Sequence, residues 1–163
     1  MMMTQLTMPA SGVSTRRSNS GFSLIELMIT VGIAAILATI AAAAYTSEVH
    51  KSRRTDARTA ILDLAGREEK LFSVSNAYSQ TPTDLGYAGA AFPINVGSGY
   101  YQVSVVTPDP AQGGAAGTYA ITATPINQQV SDTDCASLSV NQLGAQTALT
   151  SGGVANAATC WGN

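Results

Sequence analysis

The sequence has little charge and a single histidine. Charged residues make up 11% of the 163 residues, and His50 is the only histidine. The sequence has no Ser/His/Asp, Cys/His or metal-ligand spacing, so the usual arrangements for nucleophilic catalysis and metal-assisted hydrolysis are missing. The sequence therefore predicts a protein that is not an enzyme, with no cofactor and no metal site.

The missing charge has a local cause, which is one long apolar run. Between Phe22 and Tyr45 the only ionisable side chain is Glu26. These 24 residues would form about 36 Å of helix, and about 20 apolar residues suffice to span a bilayer core. The preceding residues, 1–21, are polar, carry two arginines and end in glycine. They are predicted to be a leader that is not part of the fold.

Helical periodicity continues past the apolar run, from residue 46 to residue 75. Apolar residues recur there at the i, i+3, i+4, i+7 spacing of an amphipathic helix. The charged residues, among them Arg54 and Glu68, are expected on the opposite, solvated face. The pattern predicts one helix over 22–75, with 22–45 as the part that spans the membrane or forms a filament core. The apolar stripe comprises Ala57, Ala60, Ile61, Leu64, Ala65, Leu71 and Phe72.

The hydrophobic period changes to two after the helix. Residues 76–99 are rich in proline and glycine and are predicted to be a loop. Alternating apolar residues then predict strands around Val103, Ile121 and Leu138, with a fourth near 146–149.

The fold class predicted from these patterns is α+β. The tail from Thr150 is predicted to be loop, and residues 76–163 as a whole to form a small antiparallel sheet with its connections. This sheet is expected to pack on the helix through Ile61, Leu64 and Phe72.

The two cysteines, Cys135 and Cys160, both lie near the end of the chain. An even number of cysteines beyond a membrane-targeting segment predicts a disulfide formed in an oxidising compartment. Two free thiols are the alternative. A disulfide that closes this loop of 24 residues would stabilise the fold by about 3 kcal/mol.

Glu26 is the residue that needs a partner. A carboxylate inside an apolar span costs about 2.5–3.5 kcal/mol on insertion scales, and no Lys, Arg or His lies within a helical turn of it. Cleavage before Phe22 would supply a cation, the new α-amino group. In a bundle of staggered identical helices, Glu26 of one subunit could then meet the Phe22 amine of its neighbour. The alternative is a carboxylate tolerated in a simple membrane anchor.

The stretch GFSLIELM at residues 21–28 resembles the class III signal of type IV prepilins. In that family a glycine is followed by Phe or another apolar residue, then Thr or Ser, Leu, an aliphatic residue and Glu. The resemblance implies a type IV pilin fold. It also implies that a prepilin peptidase cuts between Gly21 and Phe22 and methylates the Phe22 amine. Glu26 would be the family's glutamate at the fifth mature position.

The C-terminal half is similar to PilE-like minor pilins. The likeness lies in TATP at 122–125, in DCASLSVNQLG at 134–144, and in Cys160-Trp161 near the end. In that group the two cysteines bracket a disulfide-closed C-terminal region, called the D-region, which here would run from Cys135 to Cys160.

The resemblance as a whole implies a structural subunit of a type IV pilus, and the likeness to PilE-like proteins favours a minor pilin. It would wait in the bacterial inner membrane as a single-pass protein with a periplasmic C-terminal domain. It would then join an extracellular pilus used for adhesion, twitching motility or DNA uptake. The implied partners are other pilin subunits, the prepilin peptidase, the pilus assembly machinery and the inner membrane.

Two other classes of protein share parts of this pattern. Small residues before Tyr45 resemble a general signal peptidase site, and cleavage after Ala44 would release a soluble periplasmic protein. A type II secretion pseudopilin has the same signal and long helix, and major pseudopilins commonly bind calcium near their C-terminus. Asp132 and Asp134 are interpreted here as solvated turn residues in preference to a metal site.

A further candidate partner is DNA. The KSRR segment at 51–54 could contact DNA or acidic lipid, although a solvated helix face is the favoured interpretation. The net charge of −2 gives no broad electrostatic case for nucleic acid as the main partner.

Overall fold

The structure, a computed structural model, describes residues 21–109, 111 and 113–162. The predicted leader, apart from Gly21, lies outside the described residues. The chain divides into two compact units, residues up to Ala41 and residues from Ala42 onwards, and each is described by itself.

The predicted long helix is present as α1, Leu24–Ser75. In the first unit every large apolar side chain from Phe22 to Ile40 is at least 54% exposed. The apolar part of α1 is long and hydrophobic enough, by length and composition, to cross a membrane. This surface has no partner among the described residues, so lipid or other helices must cover it.

The second unit, here called the head, contains five antiparallel strands in the order β1-β2-β3-β4-β5. Each strand pairs with the next along the chain, and the register joins Val103 to Ala123 and Leu138 to Ala148. The strands are β1 Ile94–Val96, β2 Tyr101–Val106, β3 Ala120–Pro125, β4 Ser137–Asn141 and β5 Gln146–Leu149.

Two parts predicted to be loop contain regular structure. β1 lies within 76–99, and the same segment holds a 3-10 helix at Pro82–Leu85. The tail contains a short helix, α2, at Ala157–Trp161, which ends at Gly162 with φ of 77°. β1 has three residues, too few to show a period-two pattern, and α2 has five, too few to show a helical pattern. Neither element could therefore be predicted from hydrophobic periodicity.

The core of the head forms between α1 and one face of the sheet. Ala57, Ile61 and Leu64 of α1 are fully buried. Phe72 is not part of this core, contrary to the prediction, because its ring stacks on Tyr78 of the following loop at 4.6 Å. The sheet contributes Tyr101, Val103, Val105, Ile121, Ala123, Leu138, Val140 and Ala148. All core residues lie between Ala57 and Trp161, so the head holds its whole core without the apolar run.

A disulfide joins Cys135 to Cys160, which confirms the predicted pairing. Both cysteines are fully buried. The bond ties the segment before β4 to α2, and the Trp161 indole N–H donates to the Thr147 carbonyl of β5 at 2.9 Å. Arg58 of α1 also contacts α2, because its Nε donates to the Cys160 carbonyl at 2.7 Å.

Candidate functional site

The N-terminal site residues lie at the start of α1. Gly21 and Phe22 precede the helix, Phe22 is 76% exposed, and Glu26 lies in the first helical turn. A carboxylate there interacts favourably with the helix dipole. Glu26 forms no ion pair within 4.0 Å with any residue that the structure describes.

An apolar groove lies beside Glu26 on the same helix. It is lined by Leu24, Leu27, Met28, Val31 and Gly32. A Cβ atom added at Gly32 would meet nothing within 4 Å. Small residues that leave such space allow a second helix to approach closely in a membrane, where dispersion contacts drive helix association.

The head contains a buried ion pair between Arg54 and Asp132. Arg54 Nε donates to Asp132 Oδ2 at 2.7 Å and Nη2 donates to Oδ1 at 2.6 Å. The two side chains are only 6% and 2% exposed. The hydrogen bond to Asp132 raises the pKa of the Arg54 guanidinium. Burial alone would raise the pKa of the Asp132 carboxyl, but the hydrogen bonds from Arg54 outweigh it and hold that pKa below its usual range.

Gln129 completes this buried polar group. Its Nε2 donates to Asp132 Oδ2 at 2.9 Å and to the Tyr101 hydroxyl at 3.2 Å. The prediction that Asp132 is a solvated turn residue is therefore wrong, because Arg54 and Gln129 draw it into the interior. Asp134 is exposed, with its Oδ2 3.8 Å from Arg54 Nη2.

Glu68 is the second charged residue of α1 that is buried. It is fully inaccessible, although the sequence placed it on the solvated face. Oε2 accepts a hydrogen bond from the Ser79 backbone N–H at 3.1 Å, and Oε1 has no hydrogen-bond partner among the described residues. Burial raises the pKa of the Glu68 carboxyl to about 7. The side chain therefore links α1 to the loop after it and carries an unmatched acceptor.

A sequence signal for both buried charges existed. Arg54, Ile61 and Glu68 are seven residues apart, and a seven-residue spacing returns to nearly the same face of a helix. Their side chains therefore project toward the sheet with the apolar stripe. The expectation of a solvated face assumed that charged side chains are exposed to solvent. This assumption fails where a distant part of the chain supplies a partner for the buried charge.

The KSRR segment is not a uniform cationic surface. Lys51 Nζ lies 2.6 Å from Glu48 Oε1, and Arg54 is neutralised by Asp132. Arg53 instead lies over the Tyr100 ring, with 3.5 Å from Cζ to the ring centroid. The interpretation as a solvated helix face is wrong for Arg54.

Two family models match the sequence. The model described as "Type IV minor pilin ComP, DNA uptake sequence receptor" matches residues 43–139, more than half of the chain. The chain belongs to this type IV minor pilin family. The model described as "Prokaryotic N-terminal methylation motif" matches residues 16–42, which include the predicted cleavage position and most of the apolar run.

Individual relatives of this minor pilin carry pilin or fimbrial names. The type IV major pilin protein PilA of Myxococcus xanthus is 37% identical over 70 residues, 43% of this chain and 32% of that protein. The fimbrial protein EcpC of Eikenella corrodens is 40% identical over 94 residues, 56% of each chain. The chain therefore spans about a third and just over half of the length of these two relatives. A solved type IV pilin from Shewanella oneidensis is 24% identical, with a TM-score of 0.42 and coverage of 60% of this chain and 89% of that one.

Family membership and the pilin and fimbrial names of these relatives agree with the resemblance found in the sequence. The chain's apolar N-terminal helix and methylation motif are those of a membrane-anchored pilin. Family membership favours the pilus over the type II secretion pseudopilin alternative.

Proposed function

We propose that a prepilin peptidase cuts this chain between Gly21 and Phe22 and that the mature pilin then polymerises through a pairing of Glu26 with the Phe22 amine of a neighbouring subunit. The observation that carries the proposal is the environment of Glu26. It lies in the first turn of a helix whose large apolar side chains are exposed, and no cation of the described chain is within reach.

The pairing would determine the axial register of the polymer. An unpaired carboxylate in an apolar bundle is costly, and a single cation per subunit satisfies it only at one stagger of adjacent helices. The apolar groove that ends at Gly32 supports close packing of the same helices. Dispersion contacts would provide affinity, and the ion pair would select the register.

The proposed orientation places the head outside the cytoplasm. A disulfide between Cys135 and Cys160 forms and persists in the bacterial periplasm and is rare in the cytosol. The apolar run at 22–45 would hold the pilin in the inner membrane until the assembly machinery extracts it.

Replacing Glu26 by glutamine is expected to leave processing intact and to reduce incorporation into pili about tenfold, which corresponds to a loss of about 1.4 kcal/mol at the subunit contact. Mass spectrometry of the purified protein measures the N-terminus, and immunoblotting of sheared pili measures incorporation. Glu48→Gln, which removes an exposed carboxylate from the same helix, is the matched control and should behave as the wild type.

Two results would contradict this proposal. A mature chain that begins at Tyr45 would mean signal peptidase cleavage after Ala44 and a soluble periplasmic protein. Normal incorporation of the Glu26→Gln pilin would mean that the carboxylate does not determine the register.

DNA contact is the second candidate function, and the family description is the observation that favours it. The charge of the head does not add to that support, because residues 42–162 contain six basic and nine acidic side chains. Deletion of the gene should then abolish DNA uptake while the number of pili per cell stays unchanged. A loss of uptake that follows a loss of pili would assign the protein to filament assembly alone.

A further inference from the structure

The head contains a pocket at the residue where the apolar run of the chain ends. Here called the boundary pocket, it has a volume of about 270 Å³ and is lined by Tyr45, Val49, His50, Arg53, Gln128 and Ser131. It lies entirely within the second unit, between the first turns of α1 in that unit and the 3-10 helix at Asn127–Ser131.

The side of the pocket formed by Tyr45 and His50 corresponds to the depth of lipid headgroups, and Arg53 lies about one helical turn further from the membrane. Arg53 follows Tyr45 by eight residues, about 12 Å of helix, and His50 is about 7.5 Å beyond Tyr45. The headgroup layer is about 5–8 Å thick on each side of the hydrocarbon core. Because side chains on a helix tilt toward its N-terminus, the His50 and Arg53 side chains lean back toward the apolar run. Tyr45 is the residue type that membrane interfaces favour.

Arg53 is a cation held in place with no counter-ion among the residues that the structure describes. Its guanidinium stacks on Tyr100, and its one side-chain hydrogen bond in the described chain goes to Gln128 Oε1 at 3.5 Å. None of the described carboxylates lies within 4.0 Å of it, whereas its neighbours Lys51 and Arg54 are both paired. The stacking fixes the guanidinium plane before any ligand arrives, so less side-chain entropy is lost on binding.

The other polar groups of the pocket are compatible with an anion. His50 Nε2 lies 3.4 Å from Ser131 Oγ, and His50 Nδ1 lies 4.0 Å from Asp132 Oδ1. Asp132 therefore lies close to the His50 side of the pocket, and its charge is already balanced by the two hydrogen bonds from Arg54. The unbalanced charge that faces the pocket is therefore that of Arg53.

We propose that the boundary pocket binds the phosphodiester headgroup of an anionic phospholipid while the pilin is in the membrane. Arg53 donates to the phosphate, and the Ser131 and Gln128 side chains bind headgroup hydroxyls. A zwitterionic headgroup is bound less well because its ammonium would lie against Arg53. The proposal rests on the membrane-anchored state of the proposed function. It adds a contact that fixes the depth of the head at the bilayer before assembly.

The test uses the purified full chain in detergent micelles, titrated with phosphatidylglycerol or with phosphatidylcholine of the same acyl chains. Native mass spectrometry counts the lipids retained per chain. We expect the wild type to prefer phosphatidylglycerol about fivefold, the effect of one cation near an anionic lipid. Arg53→Gln should abolish this preference. Lys51 is two residues from Arg53 but does not line the pocket. Lys51→Gln therefore removes a nearby charge and should keep the preference for phosphatidylglycerol.

Four outcomes would overturn the proposal. The first is equal retention of both lipids by the wild type, and the second is a preference that survives Arg53→Gln or is lost equally in Lys51→Gln. The third is displacement of the lipid by a short DNA duplex at equal phosphate concentration, which would make nucleic acid the occupant. Inorganic phosphate at that concentration should not compete, because the binding also uses headgroup hydroxyls and acyl chains. Competition by inorganic phosphate is the fourth outcome, because it would make free phosphate the occupant of the pocket.

Near-ultraviolet circular dichroism of each variant establishes that the head is folded. Processing at Phe22 and incorporation into pili, measured for Arg53→Gln in cells, separate this proposal from the proposed function. If the wild type shows no preference for phosphatidylglycerol while processing and incorporation are normal, the result counts against lipid binding in the boundary pocket and leaves the proposed function intact.

Discussion

Replacing Arg54 by methionine is expected to lower the free energy of unfolding of the head by about 3–5 kcal/mol, the usual cost of leaving one partner of a buried ion pair without the other. Asp132, 2% exposed, would lose both hydrogen bonds from the guanidinium. Gln129 donates one hydrogen bond to it and cannot replace the charge. Urea unfolding at pH 7 of a fragment from residue 46 onwards, which retains the whole core, measures the loss.

The double variant Arg54→Met with Asp132→Leu tests whether the loss of stability comes from leaving Asp132 buried without its partner. A buried pair replaced by apolar residues of similar volume is often neutral in stability, so most of the loss should be recovered. Asp134→Asn, which changes an exposed carboxylate near the same arginine, is the control and should shift stability by less than about 1 kcal/mol. A single Arg54→Met change as mild as the control would mean that Asp132 reaches solvent when the arginine is removed.

Glu68→Gln is expected to stabilise the head by about 3 kcal/mol at pH 8, from a pKa difference between about 7 in the fold and about 4.5 in the unfolded chain. The folded pKa is raised, so the unfolded chain releases the proton first as pH rises. Stability therefore falls between about pH 4.5 and pH 7 and is constant above it. Glutamine keeps the shape of the side chain and has no charge to desolvate, so the stability of the Glu68→Gln head should not fall in this pH range.

Urea unfolding at pH 5 and at pH 8 measures this effect. The free energy of unfolding of the wild type should fall by about 2.5 kcal/mol between pH 5 and pH 8. Glu48→Gln, which changes an exposed carboxylate on the same helix, should show the same fall. A Glu68→Gln head that retains the full loss would place the titrating group elsewhere. The partly buried Tyr78 and the buried Tyr119 are not candidates, since burial raises the pKa of Tyr78 to about 12 and that of Tyr119 still higher.

Much of the architecture follows from local pattern. The helix of α1 was predictable because its apolar run and its stripe have helical spacing over many turns. β2, β3 and β4 were predictable because one face of each is buried and the other is not, which produces alternation. The weaker fourth prediction corresponds to β5 at Gln146–Leu149. The disulfide followed from cysteine number and compartment.

The candidate site at the N-terminus was also a sequence result. Glu26 and the Phe22 amine are four residues apart in the chain, so their pairing could be proposed from local sequence, and cleavage between Gly21 and Phe22 is what the resemblance to type IV prepilins implies. The head interior is different, because Arg54 and Asp132 are 78 residues apart and nothing local indicates that they meet.

The sequence by itself determined the apolar helix with its single carboxylate, the strand-rich head and the paired cysteines, because each depends on residues that are near one another or few in number. Only the tertiary structure decided which charges are buried. Burial of Arg54 and Glu68 depends on the segments that pack against α1, and a helical pattern describes a face without stating what covers it. The same packing left Arg53 stacked on Tyr100 without a carboxylate partner among the residues described, which is why the boundary pocket could be recognised only in three dimensions.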